Sequence, residues 1–185
     1  MRQFKLIAFL LGIVFLLSSC LTCEYKEYKF ELSGKGKSKL TIKFVNIMSK
    51  YDSEEITKDE QITKDYEELT NTYIIGDEME KKYPNAKLIS KRLFEENNQL
   101  CGEAVYEFDD MSQANIYQYD KKSPYMYYLG SLSSETFYKS NGKQGPEYFP
   151  VVVWDKSEKE LTLTTKVNEQ DEKCTSLLYR WKSKK

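Results

Sequence analysis

The chain has 185 residues, of which 28 are Lys or Arg and 29 are Asp or Glu, so its formal net charge is −1. It holds 15 Tyr and 9 Phe against 4 Pro and 8 Gly, which supplies the bulk for a hydrophobic core and argues against a disordered chain. A near-neutral chain lacks the basic surface that nucleic acid requires, so we expect no nucleic-acid partner.

The sequence contains no histidine. This excludes Ser-His-Asp and Cys-His hydrolases, histidine zinc sites and histidine-ligated haem. A fragment of a phosphate-binding loop, Gly36-Lys37-Ser38, has Glu31 where such a loop needs Gly, and a strand pattern follows it. We therefore predict no metal, no cofactor and no catalytic residues.

The first twenty residues have the three parts of a secretory signal peptide. Arg2 and Lys5 make a positive start, residues 6–17 are an uninterrupted apolar run, and two serines lead to Cys20. The apolar run is shorter than the roughly twenty residues that a membrane-spanning helix needs, which disfavours an uncleaved anchor.

The quartet Leu17-Ser18-Ser19-Cys20 resembles the lipobox of bacterial lipoproteins. The resemblance implies that residues 1–19 are removed and that Cys20 receives a diacylglycerol and often a further amide-linked acyl chain. Since each buried methylene contributes ~0.8 kcal/mol, two or three chains would hold the protein firmly at a membrane. It would then be exported and face the periplasm or the cell surface. The alternative is an ordinary signal peptide with a cysteine at the cleavage site by chance.

Three further cysteines remain after Cys20. Cys23 gives a CxxC spacing with Cys20, but this pair straddles the cleavage site and lacks the helix N-terminus of a redox motif. Outside the cytoplasm Cys101 and Cys174 are candidates for a disulfide. The alternative is that both are small buried hydrophobic residues.

Removal of residues 1–19 leaves 185 − 19 = 166 residues, the length of one domain. We expect residues 20–23 to be a short lipidated tether and residues 24–185 to be a single domain.

Periodicity predicts hairpins separated by helices. In chain order the predicted elements are a hairpin (24–32 and 39–46), two helices (54–73 and 77–83), a hairpin (87–94 and 100–108), a short helix (109–117), strands at 125–129 and 136–139, a hairpin (148–154 and 160–167), and a helix from about residue 171. This order predicts an α+β fold, mainly an antiparallel sheet with helices packed on one face.

The strand at residues 125–129 carries Tyr125, Tyr127 and Tyr128, with Tyr125 and Tyr127 on one face and Tyr128 on the other. An exposed aromatic row would suit stacking on sugar rings or contact with another protein. The alternative is a central strand that is buried on both faces.

These observations favour a non-enzymatic cell-envelope lipoprotein that binds or interacts at a membrane surface. Its expected partners are the membrane, through the lipid on Cys20, and an envelope protein or a small ligand. One alternative is a carrier or sensor of a small or lipidic ligand in a cavity under the sheet. Another is an enzyme that uses paired carboxylates, although the sequence pairs none convincingly.

Overall fold

A computed structural model of the chain describes residues 20–33, 37–51, 56–132, 135–169, 171 and 173–184. The predicted signal peptide at residues 1–19 lies outside the described residues. The described part is an α+β fold built mainly from antiparallel strands, as the sequence predicts. Within it, no helix has the length and apolar character needed to cross a membrane.

Two antiparallel sheets make up most of the fold. The larger sheet contains β1 (Leu21–Glu31), β2 (Ser38–Lys50), β3 (Lys87–Glu96), β4 (Gln99–Phe108), β7 (Thr136–Ser140), β10 (Glu160–Lys166) and β11 (Cys174–Ser176). Its order is β3-β4-β2-β1-β10-β7, and β11 also pairs with β2. The smaller sheet contains β5 (Ile116–Tyr117), β6 (Tyr125–Tyr128), β8 (Lys143–Gln144) and β9 (Val151–Trp154), in the order β5-β6-β9-β8.

Short helices connect and cover the sheets. These are α1 (Lys58–Glu68), a π-helix that continues it (Leu69–Ile75), α2 (Glu78–Lys82), 3-10 helices at Met111–Ala114 and Leu129–Ser131, and α3 (Leu178–Lys182). Thr57 caps α1 in a capping box with Glu60, which satisfies amides at the helix start.

Two layers bury the inner face of the larger sheet. Near the start of β1, α1, the π-helix and α3 pack over Cys23, Ile47 and Leu100. Toward the other end of β1, residues of the smaller sheet pack over Phe30 and Leu40. The side chains shared by both core clusters are Phe44 and Tyr73, and we call this boundary the seam.

Local sequence signals account for the first two hairpins. β1 and β2 pair in the predicted antiparallel manner, with Tyr28 opposite Ile42. β3 and β4 are joined by Asn97 and Asn98, whose φ angles of 51° and 60° fit the left-handed positions of a type I′ turn. Asn46 of β2 also has a positive φ angle, 54°. From this residue on, buried and less buried side chains no longer alternate along β2, since residues 46–49 are all buried.

The predicted third hairpin is wrong. β9 pairs with β6 and β8 in the smaller sheet, whereas β10 pairs with β1 and β7 in the larger one. The short connection between them therefore crosses between sheets. Leu161 and Leu163 of β10 lie opposite Phe30 and Tyr28, so packing across the larger sheet decides the partner.

The tether and the C-terminal helix also need correction. Residues 20–23 are not a tether, because Leu21, Thr22 and Cys23 pair with β2. The predicted C-terminal helix is shorter in the structure, where only α3 is helical. β2 extends beyond the end of its pairing with β4, and β11 pairs with this remaining part of β2. The buried positions Leu177 and Leu178 still face the core.

Candidate functional site

Cys20, the predicted lipidation site, lies at one end of the larger sheet. Its carbonyl oxygen accepts a hydrogen bond of 2.8 Å from the backbone N–H of Lys50. Cys174 lies opposite Lys50 on the other side of β2. The position where the lipid would be attached is therefore part of the folded sheet edge.

Cys23 lies three residues on but in a different environment. It is 4% exposed within the core, and burial raises the pKa of its thiol to about 12. A thiol that stays protonated at neutral pH is a poor nucleophile, which argues against a redox CxxC pair.

We expect Cys23 to resist alkylation in the native protein. With iodoacetamide at pH 8, peptide mass spectrometry should show little carbamidomethylation at Cys23 until urea unfolds the chain. Cys20, which is partly exposed, provides the comparison in a chain that lacks lipid. Equal labelling of both cysteines under native conditions would contradict the buried position.

The structure does not pair Cys101 with Cys174, and it contains no disulfide among the described residues. Both lie along the same edge of β2, Cys101 next to the Gly102–Phe44 pair and Cys174 opposite Lys50. About five residues of strand separate the two positions, or roughly 16 Å. A disulfide needs Cα atoms within about 7 Å, so the alternative of two buried hydrophobic cysteines describes this structure.

The predicted aromatic row is divided between core and surface. Tyr127 is 1% exposed and packs against Tyr28 and Phe30, with ring centroids 6.4 and 6.0 Å apart. Tyr125 is half-buried against the same core. Only Tyr128 is largely exposed, at 49%. The predicted alternation is thus correct, but Tyr127 belongs to the core and not to a contact surface.

The outward face of the smaller sheet carries a different aromatic set. The register places Tyr117, Met126, Val153 and Lys143 in one row across the four strands, on the side away from Tyr127. Tyr128 follows on the same face, since side chains two apart on a strand share a face. We call Tyr117, Met126, Tyr128 and Val153 the aromatic face.

Further exposed rings lie in the segments that flank the strands of the smaller sheet. Tyr119 follows β5, and Tyr148 and Phe149 precede β9. The Phe149 N–H donates to the carbonyl of Pro146, which closes the turn that carries these last two rings. The smaller sheet and its flanking segments thus carry five exposed rings, Tyr117, Tyr119, Tyr128, Tyr148 and Phe149.

A buried carboxylate near the seam joins β1 and β10 of the larger sheet to the segment that precedes β7. Glu135, whose side chain is 6% exposed, forms an ion pair with Lys26. It also accepts hydrogen bonds from the Tyr28 hydroxyl at 2.9 Å and the Thr165 hydroxyl at 2.5 Å. Glu135 precedes β7 in a stretch that the sequence marks only as polar, and its donors come from distant strands, so no local signal identifies it.

Lys82 of α2 lies close to this cluster. The residue is exposed, and its ammonium lies 5.8 Å from the centroid of the Tyr73 ring. Desolvation, followed by the positive charge of Lys26, lowers the pKa of Lys82. The seam therefore brings together two ammonium groups and one carboxylate.

A second buried carboxylate, Asp65, lies under α1. It accepts hydrogen bonds from the Ser49 hydroxyl at 2.5 Å and the Gln61 amide at 2.7 Å, and desolvation raises its pKa. Asp65 and Glu135 share no hydrogen-bond partner among the described residues. They do not form the kind of carboxylate dyad that acid–base catalysis uses.

The exposed side of α1 borders a shallow groove of about 370 Å³. Its lining residues are Asp59, Glu60, Thr63, Lys64 and Glu67. Arg180 of α3 reaches this helix and donates to the Thr63 hydroxyl at 3.1 Å. The groove lies on the surface of the helix layer and is not the predicted ligand cavity under the sheet.

No group of three or more Cys, Asp or Glu side chains with metal-binding geometry occurs in the described ranges. Comparison of the chain with protein-family models, curated proteins and solved structures gives no match.

Proposed function

We propose that the chain is a lipid-anchored protein of the bacterial cell envelope that acts as a non-enzymatic binding module. The observation that carries this proposal is the resemblance of Leu17-Ser18-Ser19-Cys20 to a lipobox, immediately before a strand of the folded domain. A lipid on Cys20 would hold the end of the larger sheet against the bilayer, with no flexible linker between them.

The position of the aromatic face supports a binding role away from the membrane. β1 runs from Leu21 toward the smaller sheet, and Phe30 near its far end contacts Tyr127. The ten residues from Cys20 to Phe30 span about 33 Å of strand. An anchor at Cys20 would thus leave the aromatic face at the far end of the domain, accessible to an envelope partner.

The packing of the core favours surface binding over a carrier cavity. Phe30, Tyr106, Tyr127 and Trp154 fill the space between the two sheets and are almost fully buried. A ligand under the sheet would have to displace these side chains. The exposed rings of the smaller sheet need no such rearrangement.

The test is lipidation in a bacterial host. We expect the wild-type chain to reach the membrane fraction as residues 20–185, with a mass increase that corresponds to attached acyl chains. Cys20→Ala should lose both the mass increase and the membrane attachment, because only the cysteine after the cleavage site receives lipid.

Cys23→Ala is the matched control, since it removes a neighbouring cysteine and leaves the quartet at positions 17–20 intact. This variant should keep the lipid. An unmodified wild-type product, or loss of lipid in Cys23→Ala but not in Cys20→Ala, would overturn the proposal.

A further inference from the structure

The turn between β7 and β8 carries the chain from the larger sheet to the smaller one. It consists of Asn141 and Gly142, the only Asn-Gly pair in the sequence. In such a pair the glycine nitrogen can attack the side-chain carbonyl carbon of the asparagine, since no glycine side chain hinders the approach. A C–N bond forms, the amide nitrogen leaves as ammonia together with the glycine N–H proton, and water opens the resulting succinimide to aspartate or isoaspartate.

Only glycine fits at the second position of this turn. A Cβ on Gly142 would lie 2.7 Å from two atoms of the Trp154 indole and 2.7 Å from the Val153 carbonyl oxygen. Trp154 is 1% exposed, so its ring cannot move aside without disturbing the packed core. The close approach of the turn to the indole therefore requires the residue that makes a preceding asparagine reactive.

The side chain of Asn141 connects the two sheets. Its Oδ1 accepts hydrogen bonds of 2.8 Å from the indole N–H of Trp154 on β9 and from the backbone N–H of Thr162 on β10. Its Nδ2 donates to the carbonyl oxygen of Glu160, also on β10, at 2.8 Å. An aspartate could keep the two bonds that the oxygen accepts but not the one that the amide donates.

The attacking nitrogen is held as well. The Gly142 N–H donates to the Ser140 hydroxyl at 2.9 Å, and that hydroxyl donates to the carbonyl oxygen of Thr162 at 2.5 Å. Ring closure removes both the Nδ2 group and the Gly142 N–H proton, so the bonds to Glu160 and Ser140 have to be given up. Asn141 is exposed, so these bonds, and not the exclusion of water, oppose the reaction.

We propose that Asn141 is a deamidation site that the contact between the two sheets keeps closed, and that its conversion follows opening of the smaller sheet from β10. Isoaspartate adds a methylene to the main chain before Gly142 and so displaces the turn from the Trp154 indole. Aspartate places an oxygen against the Glu160 carbonyl. Because ammonia is lost, the change is one-way, and a chain that has opened once holds its two sheets together less firmly.

The test follows conversion at Asn141 in the full chain by peptide mass spectrometry. Samples are kept in mildly alkaline buffer, with or without urea, and the deamidated fraction of the peptide is compared over time. We expect the native chain to convert slower by about tenfold or more, because the reaction then requires molecules that have opened locally. Equal rates would overturn the proposal. A faster native reaction would also overturn it, since the two N–H donors on Oδ1 would then activate the carbonyl, as in an oxyanion hole.

Two tryptophan variants identify the protecting contact. Trp154→Phe removes the indole N–H and keeps an aromatic ring, so conversion in the native chain should accelerate while the rate in urea stays unchanged. Trp181→Phe, at the other tryptophan, should keep native conversion slow. An unchanged native rate in Trp154→Phe, or equal acceleration in both variants, would contradict protection by the bond to Trp154.

A third variant measures the consequence without relying on either tryptophan. Asn141→Asp, which has the sequence of one product, should lower the melting temperature by about 2–4 °C, the shift expected for the loss of one hydrogen bond. Asn85→Asp, at an exposed asparagine, should leave it unchanged. Equal melting temperatures for the two variants would mean that Asn141 does not hold the sheets together. These readouts do not depend on the lipid, so they separate this proposal from that of the envelope anchor.

Discussion

Glu135→Ala is expected to lower the free energy of unfolding by about 3–5 kcal/mol, one of the two largest effects that we predict for a single substitution. The variant leaves Lys26, whose side chain is 18% exposed, without its counterion inside the protein. Breaking one half of a buried ion pair costs on the order of 3–5 kcal/mol, because the remaining charge is uncompensated. The hydroxyls of Tyr28 and Thr165 lose their acceptor as well. Urea denaturation at pH 7, followed by far-UV circular dichroism, measures the change.

Three further variants separate charge from shape. Glu135→Gln retains an acceptor and should cost less than the Ala variant. Adding Lys26→Met to Glu135→Gln should recover much of the loss, since a buried pair can be replaced by uncharged groups at little net cost. Glu147→Ala, at an exposed glutamate, should change stability by less than about 0.5 kcal/mol. If Glu135→Ala also changed the free energy of unfolding by less than about 0.5 kcal/mol, the buried Glu135–Lys26 pair would not stabilise the fold as expected.

The Glu135 cluster lies within the larger sheet and shares Tyr28 with the core contact between the two sheets. The chain leaves β6, passes through residues 129–131 and reaches Glu135 before it enters β7 of the larger sheet. On β1, Tyr28 donates to Glu135 and packs against Tyr127 of the smaller sheet. One tyrosine therefore takes part both in the Glu135 cluster and in the core contact between the two sheets.

The parts of the fold that the sequence predicts are those that local chemistry specifies. The alternation of β3 and β4 and the turn residues Asn97 and Asn98 lie within one short segment. The spacing of Ile62, Tyr66 and Leu69 likewise identifies the buried side of α1 and its π-helical continuation. In both cases the pattern and the structure that satisfies it are adjacent in the chain.

Strand partners could not be derived in the same way. Only five residues separate β9 from β10, a length typical of a hairpin, yet the two strands belong to different sheets. β9 is apolar at all four positions and fits between β6 and β8, whereas β10 directs only alternate leucines inward. The choice depends on long-range packing, which periodicity within either strand does not encode.

The candidate sites differ in the same way, since some are identified by neighbouring residues in the chain and others only by long-range contacts. Cys20 is predicted from its immediate neighbours Leu17, Ser18 and Ser19, so the lipidation prediction needs no fold. Glu135 and Lys82 become notable only when β1, β10 and α2 are brought together around them. The aromatic face is intermediate, because alternation separates Tyr127 from Tyr128 but does not say which of the two is buried.

Tyr127→Ala is expected to destabilise the protein by about 3–5 kcal/mol, the range for deleting a large buried aromatic side chain. The ring is 1% exposed and contacts both Tyr28 and Phe30 of the larger sheet. Its removal would leave a cavity between the two sheets. The tightly packed neighbouring side chains would fill this cavity only in part. The same urea titration measures the loss.

Tyr128→Ala is the matched control, one residue away on the same strand. Its side chain is 49% exposed, so the expected loss is below about 1 kcal/mol. Equal losses for the two variants would mean that the smaller sheet does not pack on the larger one in this register. If the losses differ as expected, a binding defect in Tyr128→Ala can be attributed to the aromatic face, whereas a defect in Tyr127→Ala would report unfolding of the sheet that carries it.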